Sequence, residues 1–147
     1  MVLDSSIHEA VASQLARNDQ RYTTQRRRLV DVLLAAGRPV TIPEVLASAP
    51  ELTQSGAYRN MMVLRESGVV ERVAGGESHG CYELAEAFSG HHHHLVCEEC
   101  GTVADLSASP KLEHEVGEAI RTAEEQGYQV TAHRLELYGR CGECLAS

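Results

Sequence analysis

The 147-residue chain has no apolar run approaching the length needed to cross a bilayer. Its opening residues, MVLDSSIHEA, carry neither a basic flank nor the apolar stretch of a secretory signal. A membrane protein is thereby excluded, and the cytoplasm, where thiols stay reduced, is the expected compartment. A nucleophile motif and a glycine-rich phosphate loop are also missing, which counts against an enzyme acting on a small-molecule substrate. Positive charge is scarce: the net charge is −8. That sum argues against nucleic acid, but its distribution does not. From Met1 to Gly80 nine arginines meet nine acids, whereas from Cys81 onward twelve acids face only Lys111, Arg121, Arg134 and Arg140. Within the neutral half, Arg17 to Arg28 holds five arginines and one acid, Asp19, a local patch able to seat on phosphates.

What is present is led by one stretch, His91 to Cys100, reading HHHHLVCEEC, with a second Cys-x-x-Cys at Cys141 to Cys144. Two thiolate pairs of this spacing complete a four-sulfur tetrahedral zinc site, so Cys97, Cys100, Cys141 and Cys144 are expected to form one closed structural centre. Disulfides or a redox pair are the alternatives, and a reduced compartment disfavours the first. A closed site has no room for the histidines. If residues 91 to 97 form a strand, His91 and His93 point one way and His92 and His94 the other, so one strand feeds two further metal sites. An expression tag would sit at a terminus, and this run is internal.

Along the chain, Ile7, Val11 and Leu15 mark a first helix over 5–17 with Asp4, Ser5 and Ser6 as its cap. Thr23 and Thr24 open a second, which Gly37 ends. A third spans Pro43 to Ala49 behind Thr41. A fourth starts at Thr53 to Ser55 and stops at Gly68, burying Ala57, Met61 and Leu64 and turning Ser55, Tyr58, Arg59 and Asn60 outward. The last two read as a helix-turn-helix, whose second helix offers its N-terminal residues to a major groove. Gly56 in that helix costs about 1 kcal/mol against alanine. Val69 to Val73 and Gly80 to Leu84 form a hairpin around Gly75 and Gly76, completing a winged helix. Ala85 to Gly90 is a polar hinge. Beyond it come strands at His91 to Val96 and Thr102 to Leu106, then an acidic helix from Pro110 to Gln126 with Leu112, Val116, Ala119, Ile120 and Ala123 inward, capped by Gly127. A third strand runs from Tyr128 to Tyr138. The fold class is therefore α+β, with a winged helix-turn-helix domain at 1–84, a hinge at 85–90 and a small α/β dimerisation and metal-binding domain at 91–147. A sheet with one helix cannot cover both its faces, and an isologous homodimer is the natural cover. At this length neither unit buries a large core unaided, and a metal clip helps.

A winged helix, a hinge, the HHHHLVCEEC strand and the terminal HRLELYGRCGEC from His133 resemble the ferric uptake regulator family of metal-sensing repressors, over nearly all the chain from Tyr22 to Cys144. The resemblance implies a homodimer that binds double-stranded DNA at a palindromic operator when loaded with a regulatory divalent metal. It further implies a sensor site of Glu83, His92 and His94, with Asp105 in some branches. A second site would hold His91, His93, His133 and an acid of the long helix, Glu113 or Glu115, with Glu113 preferred.

Two departures stand out. Iron-type members supply a histidine from the DNA-binding domain where Pro39 aligns here, and zinc-type members a connector cysteine where Ala87 stands. On one strand His79, Cys81 and Glu83 share a face, so His79 or Cys81 is a candidate replacement ligand. The expected metals are zinc at the thiolates and Fe(II) or Zn(II) at the sensor, with Mn(II) and Ni(II) also suited to imidazole and carboxylate. Arg21, Arg26 and Arg27 are expected on phosphates, and Ser55, Tyr58 and Arg59 at the DNA groove. The competing readings are an iron-based peroxide sensor of the same family, a zinc hydrolase using Glu83 as base, and a thiol redox switch. Regulated genes for metal uptake or homeostasis follow from the resemblance alone.

Overall fold

A computed structural model describes residues 2–73 and 80–147; the expected Gly75 to Gly76 turn and His79 lie outside the described residues. Helix α1 (Val2–Arg17) leads into α2 (Thr24–Ala36), strand β1 (Val40–Thr41), α3 (Ile42–Ser48) and α4 (Gln54–Glu66). Helix α1 starts before Asp4, Ser5 and Ser6, so these lie within it and do not cap it. The other caps follow side-chain chemistry. Thr23 accepts from the Arg26 amide, and Gly37 ends α2 at φ +61°, a conformation that favours glycine. Thr41 and Glu44 form a reciprocal capping box at α3. Thr53 caps α4 by accepting from Gly56 N at 3.1 Å. Leu15, Leu29, Val45, Met61, Leu64 and Val69 are almost wholly buried where these helices meet, each contributing about 1.5–3 kcal/mol by removal from water.

Strands β2 (Val70–Val73) and β3 (Cys81–Leu84) pair antiparallel, and β1 adds to the far edge of β3, giving the order β1-β3-β2. Two residues are too few to show periodicity, which is why β1 is not legible in the sequence. The hinge contains a single helical turn, α5 (Glu86–Ser89), held by Ala85 N donating to Val69 O and Gly90 N to Glu86 O.

The C-terminal part has a second three-stranded sheet, order β5-β4-β6, from β4 (His93–Cys97), β5 (Val103–Leu106) and β6 (Glu136–Gly139). Strand β4 pairs antiparallel with β5 and parallel with β6. It begins at His93, two residues later than expected. The strand expected over 128–138 is regular only at its end. Alternation selects extended backbone, but a strand needs a neighbour, and β4 reaches no further back than the hydrogen bond from His94 N to Leu135 O. Helix α6 (Pro110–Glu125) is capped by Ser109, and Gly127 follows it at φ +93°. Its apolar stripe is not covered: Leu112, Val116, Ile120 and Ala123 are half-buried and Ala119 is exposed. A short α7 (Gly142–Ala146), not foreseen, ends the chain. Among the described residues no helix is long and apolar enough to cross a membrane.

Gly56 is explained by the α4 cap. A Cβ there would lie 2.7 Å from Thr53 Oγ1, so the hydroxyl that caps the helix would have to move. The expected outcome for Gly56→Ala is therefore no gain from helix propensity but a loss of about 1 kcal/mol in urea unfolding, similar to that of Thr53→Ala.

Candidate metal centres

The parallel pairing of β4 with β6 sets Cys97 opposite Gly139, so the two Cys-x-x-Cys turns leave the sheet at the same end. Cys97 Sγ lies 3.8 Å from Cys144 Sγ, and Cys100 Sγ 3.7 Å from Cys141 Sγ. All four sulfurs fall within 4.8 Å of one another. Sulfurs at about 2.3 Å from a tetrahedral zinc would be about 3.8 Å apart. Disulfide bonding needs about 2.05 Å, and all five cysteines are free thiols. Backbone amides of Cys100 and then Cys141 lower the Cys97 pKa to about 6, while the Cys141 hydrogen bond and then burial raise that of Cys144. Four sulfurs this close suit a cation that replaces their protons.

The second cluster crosses the hinge. Glu83, from the wing strand β3, faces two imidazoles of the β4 segment: Nε2 of His94 lies 2.8 Å from its Oε1 and Nε2 of His92 2.9 Å from its Oε2. Asp105, cross-strand from His94, completes the set with Oδ1 3.6 Å from His92 Nε2. Burial works to raise the Glu83 pKa, but the bonds from His94 and His92 outweigh it and the net shift is downward. For His92 burial acts downward and is outweighed by the bonds to Glu83 and the Gly90 carbonyl, so its pKa rises. Asp105 is raised, chiefly by burial. The Gly90 carbonyl, 3.0 Å from His92 Nδ1, turns Nε2 toward the cluster.

The third cluster lies on the other side of the histidine run. His93 Nε2 meets Glu113 Oε1 at 2.6 Å, while His91 and His133 each place Nε2 3.2 Å from Glu113 Oε2. Glu113, and not Glu115, is thus the acid that the helix brings to the histidines. The pKa of Glu113 is lowered, first by the His93 bond. His133 Nε2 is buried, and its 3.2 Å approach to Glu113 is an ion pair without hydrogen-bond geometry among the described residues, a position that a cation would satisfy. Both mixed clusters present two or three imidazoles with carboxylate, a donor set suited to Fe(II), Mn(II), Zn(II) or Ni(II).

Cys81 is a member of none of the three clusters. It packs with Val73, Val96 and Val103 and lines a separate cavity with Arg38, Thr41 and Cys100. The strand face shared with Glu83 is real, but at Cys81 that face meets apolar side chains, and burial raises its pKa. On the winged part, Ser55, Tyr58 and Arg59 are exposed along the first turns of α4. Arg21 and Arg27 are exposed as well, whereas Arg26 turns inward: its Nε donates to Asn60 Oδ1 at 3.0 Å and its Nη1 to Arg21 O at 2.7 Å. Asn60 in turn donates to Gln25 Oε1 at 3.0 Å. This brace between α2 and α4 was missed in the sequence, where three adjacent arginines give no sign that one is internal.

The description of the ferric uptake regulator family matches residues 17–138. The chain belongs to that family. The peroxide-responsive repressor PerR of Staphylococcus epidermidis is 29% identical over 97% of this chain and 92% of its own length. The Helicobacter pylori ferric uptake regulator, described as having three functional metal binding sites, superposes with a TM-score of 0.77 at 24% identity, over 98% of this chain and 95% of that one. The Pseudomonas aeruginosa ferric uptake regulator with manganese superposes at 0.70 and 26% identity, over 88% and 96%. Members of the ferric uptake regulator family are dimeric DNA-binding regulators, and the chain is a metal-dependent repressor with the family's α+β architecture.

The shifts at the Glu83 cluster give a pH dependence. The pKa of Glu83 is lowered, so its bond is lost as pH falls through the folded value; that of His92 is raised, so its charged partner is lost as pH rises through the folded value. Metal must displace the His92 proton. As pH falls, metal affinity at this cluster should therefore drop by about tenfold per pH unit per displaced proton, beginning above the ordinary imidazole value of about 6.5. An imidazole NMR titration of metal-free protein should show the His92 midpoint on that higher side.

Proposed function

We propose that the chain is a cytoplasmic homodimeric repressor of metal-uptake or metal-homeostasis genes. A divalent ion, Fe(II) or Zn(II) foremost, held by Glu83, His92, His94 and Asp105, licenses it to bind a palindromic operator. Cys97, Cys100, Cys141 and Cys144 hold structural zinc, and His91, His93, Glu113 and His133 form the second metal site. One observation carries this reading: a buried carboxylate of the wing, Glu83, meets His92 and His94 from beyond the hinge at 2.9 and 2.8 Å.

An ion at that point ties residues 1–84 to residues 91–147 and fixes the angle between them. In a twofold dimer that angle sets the spacing of the two α4 helices, which must match successive major grooves. Metal shifts the population only by its differential affinity for the closed arrangement, and DNA must then tighten metal binding by the same factor. The half-exposed stripe of α6 and the exposed Tyr128, Leu137 and Tyr138 supply apolar surface for the dimer partner. Ser55, Tyr58 and Arg59 face the groove, Arg21 and Arg27 the phosphates, and Arg26 holds α4 in place through Asn60.

The staphylococcal relatives favour a second reading, in which bound iron lets peroxide oxidise His92 or His94. Mass spectrometry of peroxide-treated, iron-loaded protein distinguishes the two by added oxygen on either histidine. A hydrolase is disfavoured because Glu83, the base it would use, is engaged by both histidines.

Operator binding followed by fluorescence anisotropy tests the proposal. Chelation of the exchangeable metal, Glu83→Ala or His92→Ala should each weaken binding by about 10- to 100-fold; equal affinity with and without metal refutes it. Arg21→Ala with Arg27→Ala should weaken all sequences alike and reduce the slope of log affinity against log salt by about two.

A further inference from the structure

Glu86 belongs to neither mixed cluster, yet it touches one of them. Its Oε1 lies 2.8 Å from Nδ1 of His91, while Nε2 of the same ring faces Glu113. His91 is thus held on both nitrogens, by an acid of the hinge on one side and an acid of α6 on the other. His93, in contrast, has Nδ1 buried with no hydrogen-bond partner among the described residues. Glu86 opens α5, and α5 is fastened to the winged part by Ala85 N donating to Val69 O at 2.9 Å and Ser89 Oγ to Leu84 O at 3.0 Å. Glu86 also lines an open cleft with Glu71, His91 and His133, so it stands where solvent reaches the second cluster.

A carboxylate on the outer nitrogen of a ligating histidine keeps the proton there, leaves the lone pair of the other nitrogen for the metal, and fixes the ring plane. We propose that Glu86 is a positioning residue for the second metal site. It holds His91 with Nε2 presented to the ion and, being part of α5, transmits the occupancy of that site to the hinge. This rests on the two-site reading above and adds a connection between the sites. The Glu86–His91 bond ties the hinge turn to the first residue beyond it, beside the point where Glu83 reaches across toward His92 and His94. An ion at the second site therefore favours the arrangement in which the sensor ligands converge, and by linkage the sensor ion favours the second site equally.

Cobalt(II) titration of the full-length, zinc-loaded protein, read by visible absorption, tests this. Wild type should take up two cobalt ions beyond the zinc. Glu86→Ala should weaken the second site by about 10- to 100-fold, as loss of an outer carboxylate does at other histidine-ligated sites. Glu86→Gln, which keeps an acceptor for His91, should fall between. Glu71→Gln removes the same charge from the same cleft at a residue that, among the described residues, makes no hydrogen bond to His91, and should stay within about twofold of wild type. His133→Ala should weaken the sensor site in the wild-type background but not in Glu86→Ala, a coupling that additive effects would not show. Unchanged second-site affinity in Glu86→Ala, or an equal loss in Glu71→Gln, overturns the positioning role. An equal effect of His133→Ala in both backgrounds overturns the transmission. Wild-type protein that takes up no cobalt beyond its zinc would overturn the two-site reading as well, whereas normal uptake by both wild type and Glu86→Ala removes Glu86 alone.

Discussion

One carboxylate against two imidazoles, Glu83 between His92 and His94, joins the part of the chain with the winged helix to the part with the cysteines. Its strength comes from where it sits. Glu83 is only 8% exposed, so neither the acid nor the histidines can exchange one another for bulk water cheaply, and each must be matched by opposite charge or by a cation. A protonated histidine and a bound divalent ion satisfy the same carboxylate in different ways. The first depends on pH; the second would draw all four donors to one point. The difference between those two states is what a metal can act on.

Strand β4 is the common support of the three candidate metal centres. His94 on the strand and His92 just before it face the wing, while His93 faces α6, with His91 leading in on the same side as His93. The strand's end delivers Cys97 and Cys100, and its two edges hold β5 with Asp105 and β6 with the second cysteine pair. Three centres on five residues of strand and their immediate flanks leave little freedom for independent motion. A shift of β4 along its axis would displace ligands of all three at once. A metal in the four-thiolate centre would close the open end of the sheet and hold β4 in the axial position that the other two centres share.

Much of this was readable because it rests on short-range rules. The cysteine spacing, the two-faced histidine run, the caps at Thr23, Thr41 and Thr53, and the stop at Gly37 depend on residues a few positions apart. What was not readable depends on tertiary neighbours. Cys81 shares a strand face with Glu83, as alternation requires, but alternation does not say that Val96 and Val103 lie over one end of that face and histidines over the other. Arg26 is one of three adjacent arginines, and only the position of Asn60 on α4 shows that it points inward. Likewise 128–135 has the alternation of a strand and lacks the partner that would make it one. Glu86 looks like a hinge acid of no distinction until α5 winds it back onto His91. The choice of Glu113 over Glu115 needed the direction of α6, since two positions along a helix are some 200° apart around its axis.

Apolar contact across the hinge sets how much work the metal has to do. Val73 and Cys81 from the wing meet Val96 and Val103 of the second sheet in a cluster of four small side chains, all nearly buried. At about 25 cal/mol per Å² such a patch contributes a few kcal/mol, comparable with the free energy by which one ligand shifts a two-state equilibrium. Were the cluster as large as the core around Leu29, Met61 and Leu64, the two parts would close without metal and the ion would have nothing left to shift. Were it absent, the four donors would have to be gathered from an open ensemble, and the ordering cost would be subtracted from metal affinity. A small apolar contact beside a buried, charged one leaves the arrangement of the two parts within reach of what one bound ion can shift.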